Sequence, residues 1–389
     1  GWFRNDVRVH DNPLLHAVLE RAVSHGSEAL LIYIFDPRFY DRCLYGRVTD
    51  PNYQKSIHGR RAVSFSSRKC GARRAMFILS AVQDLAHQLD RMGIRLWLFN
   101  GRAEEVFLKL AKQYGVLQVF CMKEPVSVEC TDIEEFVDRS LMNNGSSLTT
   151  VWGAMSLYHL EDLPFTPQAA PTNYTAMSRA LGWVDIWTCR ERIEGAVEIR
   201  LPLPVPSVDT WPKQPSAPPD GGRNCDEDGH VWLMRLGFNA AEISGVLPCA
   251  LDGRGRGRGS VEAIARHPVG RRTRQVSGAG ETAARARLQV WMDEDPDSDP
   301  EDFKADHLPL PRQGIESDDI DPMQWKNLSE PNGWMRLSEF LAIGCISSRE
   351  IYHMLNRASH WALAGVVHRL LWREWHRINA IRWGRRLFW

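Results

Sequence analysis

The chain has 389 residues, which suits two domains, or one large domain with a linker, and allows a large buried core. Lys plus Arg and Asp plus Glu each number 48, for a formal net charge of zero. Whole-chain charge therefore points to no nucleic-acid partner, and any such role must rest on local patches. Eight cysteines stand singly with no CxxC pair, which argues against zinc and thioredoxin-like chemistry and fits a reducing, intracellular compartment. No apolar run approaches the ~18 residues of a membrane-spanning helix, so no membrane association is expected.

The chain opens with WFRNDVRVHDNPLLHAVL, Trp2 to Leu19. A first strand ends near Phe3, Arg4–Asn12 forms a loop, and Asn12-Pro13 starts a helix with proline in its first turn. Continuous apolar runs at 30–35 (LLIYIF), 94–99 (IRLWLF) and 116–122 (VLQVFCM) read as buried strands. Helical patterns lie between them. One runs over 74–92 with Phe77, Val82, Leu85 and Leu89 near one face and stops at Gly93, and a second runs over 103–114 and stops at Gly115. A third is expected to start at Thr131 with Glu134 closing a capping box. This alternation predicts an α/β domain with a Rossmann-like parallel sheet covered by helices on both faces. Ligands of such sheets sit outside the carboxyl ends of the strands, where Arg4–Asn12 lies. No GxGxxG follows the first strand, so a dinucleotide site of that type is not supported. On composition alone, the loop is an ordinary strand-to-helix turn with an Arg/Asp ion-pair network.

Residues 166–230 read as an interdomain linker, rich in Pro, Gly, Ser and Asp from 202 onward. Two insertions follow. The segment 251–280 is Arg/Gly-rich, begins as GRGRGRG, and cannot pack a core. It is either a low-complexity insertion without a partner or a tether for a nucleic-acid backbone. The segment 293–321 is acidic and reads as a solvated loop. Near the end, Arg369, Arg373 and Arg377 stand at i, i+4 and i+8, one face of a helix, interleaved with Trp372, Trp375 and Trp383. A basic face with aromatic rings suits a phosphate backbone with stacked bases. A tryptophan core face with a solvated basic face fits the same spacing equally well.

The opening words resemble the WFRxDLRxxDNxAL signature of the photolyase/cryptochrome family, and in particular the RNDLRxHDN form of its cryptochrome-DASH branch, with Val7 for the usual Leu. The resemblance continues in order. It runs through Asp36-Pro37-Arg38, through Lys69, Gly71, Arg74 and Phe77, and through Gly101, Glu104 and Glu105. It extends over VWGAMSLYHLEDLPF (151–165), GETAA (280–284), MRLSEFLAIGCISSR (335–349) and LLWREWHRINAIRWGRRLF (370–388).

The resemblance implies a photolyase-type antenna domain over 1–165 and an incomplete all-α domain binding flavin adenine dinucleotide (FAD) over 231–389. It implies Arg336, Leu337, Ser338 and Arg373 as FAD contacts, with Ser338 capping an apolar helix and touching phosphate. Glu124 matches the position that contacts a methenyltetrahydrofolate antenna. Arg369, Trp372 and Arg373 fall where DNA and the lesion are held. The implied activity is blue-light repair of cyclobutane pyrimidine dimers, preferentially in single-stranded DNA, by a monomer. In that reaction an electron passes from the reduced, photoexcited flavin to a flipped-out dimer, splits its ring and returns. The alternative is a non-repairing photoreceptor, or a nucleic-acid-binding remnant without a working flavin site.

Departures from the pattern favour the alternative. Trp334 and Met335 replace a hydroxyl pair in the phosphate motif, and each lost charge-assisted hydrogen bond costs about 1.5–3 kcal/mol. Arg369 replaces a glutamate that hydrogen-bonds the lesion and brings a second positive charge near Arg373. The family pattern also implies strand residues ahead of Trp2 and a further C-terminal block that completes the flavin cavity, so the chain reads as a fragment or a divergent gene product. The expected compartment is intracellular: an organelle (chloroplast or mitochondrion) or the nucleus.

Overall fold

The computed structural model describes residues 1–45, 65–153, 156–184, 192–207, 209, 211–244, 246, 278–293, 337–358, 363–384 and 386. The Arg/Gly-rich insertion up to 277, the acidic insertion from 294, and Trp334, Met335 and Arg336 lie outside the described residues.

Five parallel strands form the central sheet: β1 (Trp2–Phe3), β2 (Leu31–Phe35), β5 (Leu96–Asn100), β6 (Gln118–Met122) and β7 (Ser147–Val151), in the order β5-β2-β1-β6-β7. Strands β3 (Arg42–Tyr45) and β4 (Phe65–Arg68) pair antiparallel as a separate ribbon. The order reverses between β1 and β6, which makes the crevice beyond their carboxyl ends the natural ligand position of a doubly wound sheet. Side chains alternate across the sheet. Trp2, Ile32, Ile34, Val119 and Cys121 face helices α3 (Ala103–Tyr114) and α4 (Val128–Met142) in one core. Phe3, Leu31, Tyr33, Phe35, Leu96 and Leu98 face the other way. They join α1 (Pro13–His25), α2 (Ala72–Arg91) and the later helices in a second, larger core.

The expected strands and helices of this domain are present. One start differs. Helix α4 begins at Val128 because Ser127 supplies the cap, its Oγ accepting from the Cys130 amide at 3.3 Å. Glu134 lies inside the helix, buried, and accepts from Arg4 at 2.7 Å and from Lys123 at 2.6 Å, so it closes no capping box. Asn12 caps α1 as its sequence suggests, accepting from the Leu14 and Leu15 amides, with Pro13 in first position.

The later part is helical: α5 (Tyr174–Ala180), α6 (Gly229–Arg235), α7 (Gly280–Asp293), α8 (Ser338–Ile343), α9 (Ser348–Arg357) and α10 (Leu363–Trp383). These elements dock on the opening loop. Asp11 holds φ +49, a left-handed backbone that Asp tolerates better than most residues. There it exchanges hydrogen bonds with Leu203, amide to carbonyl and amide to carboxylate, at 3.0 Å each. Its carboxylate takes a two-pronged pair of hydrogen bonds from Arg349 at 2.6 and 3.0 Å. Arg8 donates to the carbonyls of Asp11, His10 and Gly344, and the Val7 amide donates to Ile343 O at 3.3 Å. The amides of Val9 and His10 donate to the buried Glu281 carboxylate at 2.6 and 3.0 Å. Gly344 approaches so closely that an added Cβ would lie 2.0 Å from Asn5 O.

The Asp11 and Arg349 side chains are 0% and 5% exposed. Removing one charge of such a pair strands the other, which costs about 3–5 kcal/mol. Asp11→Asn should lower the urea unfolding free energy by that amount, and adding Arg349→Met should recover part of the loss. A single-variant loss under about 1 kcal/mol, the scale of an exposed pair, would show that the pair does not hold the two parts together.

Candidate functional site: the seam between sheet edge and helix α10

Helix α10 carries most of the residues singled out by sequence. Arg369, Arg373 and Arg377 do share one face, but that face turns inward: the first two are half-buried and Arg377 is buried. Arg373 sits between α8 and α9, donating to Ser348 Oγ at 3.2 Å and to Leu341 O at 3.3 Å. Burial, with Arg377 adding a like charge, pushes the Arg373 guanidinium down to about 10. Burial also lowers the Arg369 guanidinium, to about 10.

Arg377 Nη1 lies 3.5 Å from Glu124 Oε1. Glu124 follows β6 on the carboxyl edge, is buried, and also accepts from the Val126 amide at 3.2 Å. It thus spans the seam between sheet and helices at the switch point. Arg377 Nε is buried with no hydrogen-bond partner among the described residues.

Trp372 stacks on Tyr174 with centroids 4.3 Å apart and planes 4° apart. Its Nε1 donates to His368 Nε2 at 3.0 Å, and His368 Nδ1 lies 2.9 Å from the Tyr174 hydroxyl. One face of the indole is thus covered by the chain's own tyrosine. Trp375 meets Trp372 edge-on at 5.4 Å.

Ser338 does not cap α8. Leu337 occupies the cap position with its side chain buried, and Ser338 is the exposed first residue of the helix. The described hydroxyl beside Arg373 is instead Ser348, which the sequence analysis passed over. It also passed over Glu374, which is buried and accepts from the Leu157 amide at 3.0 Å, tying α10 to the 151–165 segment. Desolvation raises the Glu374 carboxyl above its ordinary 4.5, against the pull of the Leu157 amide, Arg377 and Arg373. No helix among the described residues is long and apolar enough to cross a membrane.

Comparison with known proteins gives this fold and seam a family. Residues 1–185 match the family model described as DNA photolyase. The whole chain is 26% identical over 399 residues to the cryptochrome DASH, chloroplastic/mitochondrial, of Arabidopsis thaliana, covering 100% of this chain and 53% of that protein. Among solved structures, a Synechocystis cryptochrome is matched with a TM-score of 0.61 at 23% identity, over 100% of this chain and 62% of that one. An archaeal photolyase from Sulfolobus tokodaii, solved with two FAD molecules, is matched with a TM-score of 0.53 at 16% identity, over 98% and 58%. The first part of the chain, residues 1–185, thus carries the domain of the photolyase family. The chain is similar to the proteins named cryptochrome DASH, and spans a little over half the length of these curated relatives.

A carboxyl group raised in the fold binds its proton more tightly folded than unfolded. The stability linked to that proton is full below 4.5 and is lost as pH rises through the folded value. Glu374→Gln keeps an acceptor for the Leu157 amide and removes the titration. The variant should therefore melt at or above the parent temperature at pH 7, and the difference should vanish below pH 4.5. A variant less stable at pH 7 by more than about 1 kcal/mol, beyond an ordinary hydrogen-bond change, would mean the ionised carboxylate stabilises the seam.

Proposed function

We propose that this chain forms the antenna domain and part of the flavin domain of a DASH-type blue-light flavoprotein that repairs cyclobutane pyrimidine dimers, preferentially in single-stranded DNA. The supporting observation is Arg373: a cation depressed by burial, fixed at the junction of α8, α9 and α10 beside Ser348. A diphosphate next to it would stabilise its charged form and give the Ser348 hydroxyl an acceptor, so these residues fit the phosphates of FAD. Leu337, Ser338 and Arg336 belong to the same motif and complete the proposed grip. Bound there, the flavin would supply light absorption and one-electron chemistry.

The chain's own residues do the rest. Arg373 and Ser348 hold the anion. Glu124 and Arg377 keep the switch-point crevice polar at the seam, where a methenyltetrahydrofolate antenna is proposed. The proposal puts Arg369, Trp372 and Arg373 on the side facing DNA, with Tyr174 fixing the plane of Trp372. Action as a monomer inside an organelle or the nucleus belongs to the same proposal; the Arabidopsis relative is named chloroplastic/mitochondrial. A second reading, a photoreceptor without repair, is favoured by one observation: a half-buried guanidinium, Arg369, stands where the repair pattern has a carboxylate acceptor.

The deciding measurement is FAD titration of the purified chain, followed by absorbance and flavin fluorescence, then illumination with dimer-containing single-stranded DNA. Near-stoichiometric binding is expected, with Arg373→Met weakening it by roughly 10- to 150-fold, the loss of one charge-assisted hydrogen bond. A chain that binds FAD but leaves the dimer intact would select the photoreceptor reading. A chain with no FAD affinity, or an Arg373→Met variant that binds equally well, would overturn the proposed phosphate grip.

A further inference from the structure

The linker is not a slack tether where it passes the sheet. Arg223 and Leu98 exchange both backbone hydrogen bonds at 2.9 Å, so the linker pairs with the edge strand β5. Two residues on, the Gln83 side chain of α2 donates to the carbonyls of Cys225 at 3.0 Å and Glu227 at 3.4 Å. Between these anchors the chain turns at Cys225-Asp226. One helical turn beyond Gln83, on the same face of α2, stands His87.

A histidine nitrogen, a thiol sulfur and a carboxylate oxygen are thus brought together from two separate stretches of chain. The ligand atoms of His87, Cys225 and Asp226 all lie within 4.8 Å of one another. Cys225 Sγ is 3.6 Å from an Asp226 carboxylate oxygen. Asp90, three residues past His87 on α2, adds a further negative charge that acts on the thiol. His87 and Asp226 are exposed, while Cys225 is half-buried.

We propose that His87, Cys225 and Asp226 form a binding site for a zinc-like divalent cation, clipping the linker to helix α2. The donor set selects the metal class. One sulfur and one imidazole nitrogen suit zinc, while magnesium and calcium prefer all-oxygen sites. Zinc bonds of about 2.0–2.3 Å place tetrahedral donors about 3.3–3.8 Å apart. The present spread closes by side-chain rotation with the backbone left where Gln83 and Leu98 hold it. Water or Asp90 takes the fourth position. The single-cysteine spacing that argues against zinc in the sequence carries no weight at this place, because the three donors converge only through the fold.

The test uses the full chain, reduced and freed of metal, titrated with cobalt(II) alone as the spectroscopic probe and with zinc(II) in competition. The expected result is one equivalent of tetrahedral cobalt with a thiolate charge-transfer band in the near ultraviolet, displaced by zinc. Cys225→Ser should abolish that band with an unchanged far-ultraviolet circular dichroism spectrum. His87→Gln should weaken zinc at least by the roughly 10- to 100-fold that loss of a mere supporting residue causes. Zinc should raise the melting temperature of the parent but not of Cys225→Ser. A parent chain that forms no thiolate–cobalt band, or a Cys225→Ser variant that keeps it, overturns the proposal.

Discussion

The buried pair between Asp11 and Arg349 is the joint on which the molecule turns. Two charges are removed from water there, a cost that only near-complete hydrogen bonding can offset. The opening loop supplies that bonding. Its backbone folds into a left-handed turn at Asp11, its amides reach Glu281 and its Arg8 spans three carbonyls. Five of the stretches singled out in the sequence, far apart along the chain, meet one another in this packing. The loop binds the GETAA helix and the end of the 335–349 motif, and Glu374 of the last motif binds the 151–165 segment. A change in one of these stretches leaves a buried polar group of another unsatisfied.

The charged opening loop is a joint between sheet and helices. Its polar side chains hold sheet to helices, the structural role its composition suggested, and they do so at the carboxyl edge where a ligand crevice belongs. The crevice is bounded instead by the next loop, through Glu124, and by Arg377 opposite it. Assembly and candidate chemistry thus occupy neighbouring strand ends.

Much of the first domain was legible because its inner strands are apolar runs too short for helices and set between helical patterns that stop at glycine. Strand β7, SLTTV, was not, since an edge strand with exposed polar residues and none fully buried carries no such run. The antiparallel pair of β3 and β4 gave as little signal. At the site, the spacing of Arg369, Arg373 and Arg377 correctly put them on one face but could not say that the face turns inward. That depends on α8 and α9 packing against it. The partners of Trp372 were equally hidden: Tyr174 stacks on it from a distant part of the chain. Ser348 and Glu374 carry no signal of their own, because a serine and a glutamate become specific only once a guanidinium or a buried amide is set beside them.

The bridge between Arg223 and Leu98 bears on how the chain survives its own synthesis. The sheet is complete in sequence by Val151, yet β5 lies at its border with open amides and carbonyls. Such a border is a template for pairing with any passing strand. The chain covers Leu98 only when Arg223 emerges. During the intervening interval the nascent sheet is exposed to self-association, a period in which chaperone engagement matters most. Shortened versions that stop before Arg223 would keep that exposure for good, and their tendency to clump would reflect an unfinished seam rather than an unstable core.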